Sequence, residues 1–229
     1  FINREFYLHS ILPNILTKLS LPDLWRDIAY TKLMLLNKRI EYGVRMLVNA
    51  YRDDHINPVT NMSEDQLWIR SMYLESAIET YNKVVDYVYS IIYFRFNLDS
   101  LEILKRKDVI KYSSNRYVKH NEINSWLESN NSTSHFKSLL GKYIKCTNSN
   151  KKNANDFKHW GCFNVKGLEI QALDLKYFVK GKEINYHEII NGNPLDIDFE
   201  IENLVTIHNE TIKLIEALYN ICFRADKWR

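Results

Sequence analysis

Glycine and proline are scarce, at 6 and 4 of 229 residues. A β-sandwich or barrel needs many tight turns, so this scarcity argues against one. Cysteine is rarer still. Cys146, Cys162 and Cys222 make an odd number with no Cys-x-x-Cys pair. That favours a reducing compartment and gives no zinc signature. No apolar run reaches the ~20 residues that a bilayer crossing needs; the longest candidate, Val84 to Phe96, is broken by Asp86 and Arg95. No membrane partner is expected, and the cytoplasm is the expected location. A Gly-rich phosphate loop, a His-Glu-x-x-His and a Gly-x-Ser-x-Gly are also missing. P-loop NTPase, zincin and α/β-hydrolase readings therefore lose their usual support, and no metal or cofactor is expected. The net charge of +3 is too small a bias to imply nucleic acid by itself. The chain starts at Phe1 rather than Met, which leaves open a targeting segment before it.

What is present is an ordinary globular composition, 45% hydrophobic and 26% charged, arranged with a helical period. A short helix broken at Pro13 is expected over Phe1 to Ser20. Ser20-Leu21-Pro22-Asp23 reads as the start of a long helix. Ala29, Leu33, Leu36, Ile40, Gly43, Leu47 and Ala50 then recur at steps of three and four, to about Asp54. A second long helix is predicted from Ser63 to Asn97, roughly 50 Å in length. Its stripe is Leu74, Ala77, Ile78, Tyr81, Val84, Val85, Val88, Ile91 and Ile92. The short loop between the two predicts an antiparallel pair.

Residues 99–134 are polar, with a small helix near Asn121 to Leu127 and a cap-rich Ser129 to Ser134 loop. Phe136, Leu139, Leu140, Tyr143 and Ile144 mark a third core helix, which continues or restarts toward His159 and stops at Gly161. The period then changes. Leu173, Leu175, Tyr177 and Val179 alternate before Lys180-Gly181, and Ile184 and Tyr186 alternate after it. That pattern predicts a small β-hairpin inserted near 168–189, with a third strand around Leu168 to Ala172. A last helix carries Ile201, Leu204, Val205, His208, Ile212, Ile215, Leu218, Tyr219 and Cys222 on one face. The expected fold is mainly α: an antiparallel helical bundle with that hairpin, as one domain over 1–229. No internal repeat or long linker divides it.

Charge is segregated along the chain. His135 to Lys166 holds seven lysines and one acid, Asp156; Gly167 to Glu210 holds nine acids and three lysines. The basic stretch contains Asn153-Ala154-Asn155-Asp156-Phe157-Lys158-His159-Trp160-Gly161. On a helix, Asn155 and His159 share a face with Cβ atoms ~6 Å apart. They could converge on a phosphate or a ribose hydroxyl. The imidazole exchanges protons near neutral pH, and Asn155 offers both a donor and an acceptor. Lys151, Lys152 and Lys158 would attract an anion, and Trp160 could stack on a base. The competing explanations are a histidine favoured by a helix C-terminus and a solvated Lys-Asn surface.

Ala154-Asn155-Asp156-Phe157-Lys158-His159 resembles the signature of the HEPN (higher eukaryotes and prokaryotes nucleotide-binding) superfamily. That signature is Arg, a polar residue that is often Asn, three further residues and His. The long antiparallel helices, with the motif near the end of a later one, are similar as well. So is the segment Ser76 to Phe94, where Tyr81, Asn82 and Asp86 interrupt the apolar stripe. The resemblance implies a homodimer acting without metal, in which His and Arg promote attack of a ribose 2′-hydroxyl on the adjacent phosphate. It makes His159 the acid/base and puts Asn155 at the polar position. It departs at Ala154, where the family has Arg. A methyl group cannot hold a phosphate in two places, and Lys151, Lys152 or Lys158 would replace a guanidinium only as a point charge.

Three polar residues near apolar stripes are candidate supports for this site. Asn82 and Asp86, one turn apart, either lie in water or bond across to Asn155 or Lys158. His208 is either a satisfied core histidine or a group that supports His159. Arg116 and His120 form a second, looser Arg–His spacing. Two functions fit these residues. The first is a HEPN-like protein binding RNA or nucleotide, with weak or degenerate ribonuclease activity; the resemblance associates it with toxin–antitoxin or phage-defence systems. The second is a non-catalytic helical interaction module, whose lysine segment docks an acidic protein.

Overall fold

Steps of three and four bury one face of α1 (Leu24–Tyr51). Ala29, Leu33, Leu36, Ile40, Leu47 and Ala50 all lie in the core. Each fully buried large apolar side chain contributes about 1.5–3 kcal/mol relative to exposure. The computed structural model describes residues 24–53, 63–96, 98, 118–148, 150–154, 165–168, 176–185 and 194–223. The expected first helix and the loop after α1 lie outside them.

The single long helix expected from Ser63 is two helices, α2 (Ser63–Asn82) and α3 (Val84–Arg95). They are separated at Lys83, which keeps helical φ but flattens to ψ −8°. The Lys83 N–H bonds back to the Thr80 carbonyl at 3.2 Å, a three-residue step that tightens the turn. No glycine or proline marks the place. Its physical origin is distant in sequence: the Tyr143 hydroxyl donates to the Tyr81 carbonyl at 2.8 Å. The Asn82 amide also turns outward to the Asn150 carbonyl at 3.1 Å. A side chain that competes for a ladder carbonyl is a known cause of helix bends. The apolar stripe runs through the break, from Leu74, Ala77, Ile78 and Tyr81 to Val84, Val88, Ile91 and Ile92.

The expected antiparallel pairing is visible in cross-helix contacts. Arg70 reaches the Ala50 carbonyl (2.7 Å), Gly43 abuts Thr80, Arg39 lies over the Tyr87 ring, and Lys32 lies over Phe94. As α1 is followed backward, α2 and α3 are followed forward. Gly43 is helical, and a helix-interior glycine costs about 1 kcal/mol. Here it allows close approach: a Cβ at this position would meet Thr80 Cγ2 at 2.7 Å.

Helix α4 (His120–Ser129) docks on α3 through Ile123 and Leu127. Trp126 stacks on Phe96 with centroids 4.1 Å apart, and His120 meets Tyr89 edge-on. The cap-rich loop is a single 3₁₀ turn, Asn131–Thr133. Thr133 Oγ1 lies 2.7 Å from the Asn130 carbonyl and 3.0 Å from that of Leu127. Helix α5 (Ser134–Cys146) buries Phe136, Leu140 and Tyr143. After a turn at Thr147, helical backbone resumes at 148 and 150–154.

Strand is a minor component among the described residues. β1 (Lys176–Val179) and β2 (Lys182–Asn185) pair antiparallel, with Val179 opposite Lys182. Lys180 and Gly181 both have positive φ, the signature of a two-residue hairpin turn. The small β-hairpin expected near 168–189 is not supported beyond this four-residue pair, and residues 169–175 and 186–189 lie outside the described residues. Leu168, expected near a third strand, instead closes a turn on the Val165 carbonyl at 2.9 Å, while Val165 bridges Leu195.

Helix α6 (Ile197–Phe223) starts earlier than its apolar stripe suggested. Asp196 is the reason: its carboxylate accepts the Phe199 N–H at 3.2 Å, an N-terminal cap. The helix runs parallel to α2 and α3, since Arg70 pairs with Asp198, Tyr81 meets His208, and Arg95 reaches the Cys222 carbonyl. It runs antiparallel to α5, its main packing partner.

Candidate functional site

Polar groups gather inside the bundle where α2 ends, and they do so through α5 and α6. His208 falls on the buried face of α6 and is 2% exposed. Its Nδ1 lies 2.9 Å from Tyr81 Oη, with the rings edge-on at 5.9 Å. Burial drives the Tyr81 phenol far above its usual range, and the nearby Tyr143 adds to this. The phenol therefore stays protonated and shares a hydrogen bond with Nδ1, whose direction follows the tautomer of His208.

Tyr143 continues the network, donating to the Tyr81 carbonyl while its own carbonyl accepts from Thr147 Oγ1 at 3.1 Å. Burial raises its phenol strongly, against a smaller lowering by the Thr211 hydroxyl. Glu210 adds a charge. Its Oε1 accepts from Lys213 at 2.8 Å and pairs with Lys142 at 2.9 Å. The Lys213 hydrogen bond holds the carboxyl below its ordinary value, with Lys142 adding to it against the cost of burial.

This network borders the segment that leads into the motif. Asn82 anchors the Asn150 carbonyl, and Asn82 Oδ1, Asn150 Nδ2 and Asn153 Nδ2 are buried without hydrogen-bond partners among the described residues. Glu210 Oε2 is in the same condition. Lys151 and Lys152 are exposed on the same helical turn. Ala154, at the position of the family's Arg, is 7% exposed and packs in the core.

The sequence-derived candidates fall into three groups. Asn82 and His208 are brought to the network, although Asn82 reaches Asn150 rather than a motif side chain. Asp86 is solvent-exposed in the first turn of α3. Asn155, Lys158, His159 and Trp160 lie outside the described residues, as does Arg116 of the looser pair. Tyr143, Asn150 and Glu210 join the site without a motif to mark them. The available signal was weak: a tyrosine in an apolar stripe, an asparagine in an Asn-rich run and an acid two residues after a buried histidine.

Among the described residues, no group of three or more His, Cys, Asp or Glu is arranged to hold a metal ion. No described helix is long and apolar enough to cross a membrane. Comparison with protein-family models, curated proteins and solved structures finds no match to this chain.

Proposed function

We propose that this chain is a HEPN-like module that binds RNA or nucleotide through the basic segment from Lys151 to Trp160. The observation that carries the reading is the treatment of residues 150–154. Their inner side is anchored to the bundle by Asn82, while Lys151 and Lys152 face solvent. A fixed turn presenting cations is suited to a phosphate backbone. In this reading Asn155 and His159 contact phosphate or ribose, Lys158 adds charge and Trp160 stacks on a base.

Binding is favoured over cutting, because the side chain at position 154 is a methyl group turned into the core. Any ribonuclease activity is weak and metal-independent, with His159 as acid/base. A homodimer and a place in a toxin–antitoxin or phage-defence system belong to the HEPN resemblance, and a cytoplasmic location to the cysteine usage. The test is retention and cleavage of end-labelled single-stranded RNA in the presence of a chelator. Binding at low salt is expected, with His159→Ala leaving it nearly intact while removing any cleavage. Failure to retain RNA at low salt rejects the reading.

The alternative is a non-catalytic interaction module for an acidic protein. The observation in its favour is a solvent-facing apolar pair one turn apart on α2, Trp68 (52% exposed) and Met72 (53%).

A further inference from the structure

A groove of about 570 Å³ runs between α1 and the α2–α3 break. That is within the roughly 300–1,000 Å³ common for small-ligand sites. Its lining alternates cations with aromatic rings. Lys38, Arg39 and Tyr42 come from α1, Glu79 from α2, Lys83 from the break and Tyr87 from α3. The Arg39 guanidinium sits 5.9 Å over the centre of the Tyr87 ring. Tyr42 is 48% exposed. Lys38 has no ion pair among the described residues, and Lys83 is held by Glu79 at 3.5 Å. Three cations therefore stand against one carboxylate. The floor is closely packed: Gly43 lets α1 close on Thr80, whose hydroxyl is bonded to the Ser76 carbonyl at 2.8 Å.

We infer that this groove binds a nucleotide unit of single-stranded RNA, with the base against Tyr42 and the Arg39–Tyr87 pair and the phosphate between Lys38 and Lys83. Aromatic faces and guanidinium planes are the surfaces on which unpaired bases stack. Ammonium groups on flexible stems suit phosphate as point charges. An acidic peptide would satisfy the lysines but would leave the rings without a planar partner. The inference rests on the reading of the chain as RNA-binding, but it is independent of the Lys151 to Trp160 segment.

The experiment is fluorescence anisotropy of a 5′-labelled 12-nucleotide oligouridine on the full chain, titrated at several salt concentrations. Five proteins are compared: the parent, a groove variant (Lys38→Ala with Lys83→Ala and Tyr42→Ala), a segment variant (Lys151→Ala with Lys152→Ala), and the single variants Tyr42→Phe and Tyr42→Ala. The groove substitutions fall on exposed side chains, and far-ultraviolet circular dichroism checks the fold. The groove variant is expected to bind about tenfold or more weakly, by loss of one stacked base and of both lysine contacts to one phosphate. Its salt slope should be shallower by about 0.7, for the one phosphate held between Lys38 and Lys83. Restoring the ring as Tyr42→Phe in an otherwise parental chain should leave affinity near that of the parent, whereas Tyr42→Ala lowers it. Unchanged affinity in the groove variant overturns the inference, and equal displacement of the RNA by polyglutamate does so too. Loss of binding in the segment variant alone would leave the proposed function standing without the groove. Loss in the groove variant alone would do the reverse, and a parent chain that binds no oligouridine would remove both.

Discussion

Replacing Tyr143 by Phe keeps the ring and removes one hydroxyl, and with it the bond to the Tyr81 carbonyl and the interaction with Thr211. A buried hydrogen bond lost in this way costs about 1–2 kcal/mol, or roughly 2–8 °C in melting temperature for a chain of this size. Thermal and urea unfolding of Tyr143→Phe should show that loss; a variant as stable as the parent would remove the bond from the account. Glu210 supplies a prediction in pH. Its folded carboxyl lies below the ordinary value of 4.5 because Lys213 and Lys142 favour the charged form. Its contribution is therefore present above about pH 4.5 and is lost as pH falls through the lower folded value. Glu210→Gln should flatten the acid limb of the stability curve in that window, and parallel limbs in the two proteins would contradict the assignment. At this scale the sequence was partly legible. The burial of His208 followed from its place on an apolar stripe. The partner of Tyr143 did not, since a tyrosine in a stripe does not say which carbonyl its hydroxyl will reach across 62 residues.

Between helices, the close contact of Gly43 with Thr80 makes a double-mutant cycle decisive. Gly43→Ala gains about 1 kcal/mol in helix propensity. It also forces a methyl group onto Thr80 Cγ2, and overpacking of this kind costs about 1–3 kcal/mol. Thr80→Ser removes that methyl and keeps the hydroxyl bond to Ser76. Gly43→Ala should destabilise the parent chain and stabilise the Thr80→Ser background, a coupling readable by urea unfolding. Equal effects in both backgrounds would show that the helices adjust without cost. Periodicity located α1, α4 and the body of α6, and turn chemistry located Lys180-Gly181. The break at Lys83 was illegible, because its cause is a hydroxyl and a carbonyl contributed by distant segments rather than a local breaker. The true start of α6 was legible in principle, since Asp196 is a capping residue directly before the helix.

At the scale of the whole molecule, α1 runs against α2 and α3, while α6 runs with them and against α5. The polar network lies where α2, α5 and α6 meet. The mainly helical class could be read from the scarcity of glycine and proline and from the long stripes. The site could be read only in outline, because the lysine-rich segment and its neighbouring acidic one are a pattern of charge, and charge alone does not specify a ligand. The geometry of residues 150–154 adds direction to that pattern by fixing which side faces the core and which faces solvent.

The salt dependence of single-stranded RNA binding tests the central claim most directly. If Lys151 and Lys152 each neutralise a phosphate, replacing both with Ala lowers the slope of log K against log salt by about 1.4 and weakens binding at every RNA sequence alike. Should the parent chain bind with no salt dependence, or the double variant match it at all salt concentrations, the basic segment is not a nucleic-acid surface.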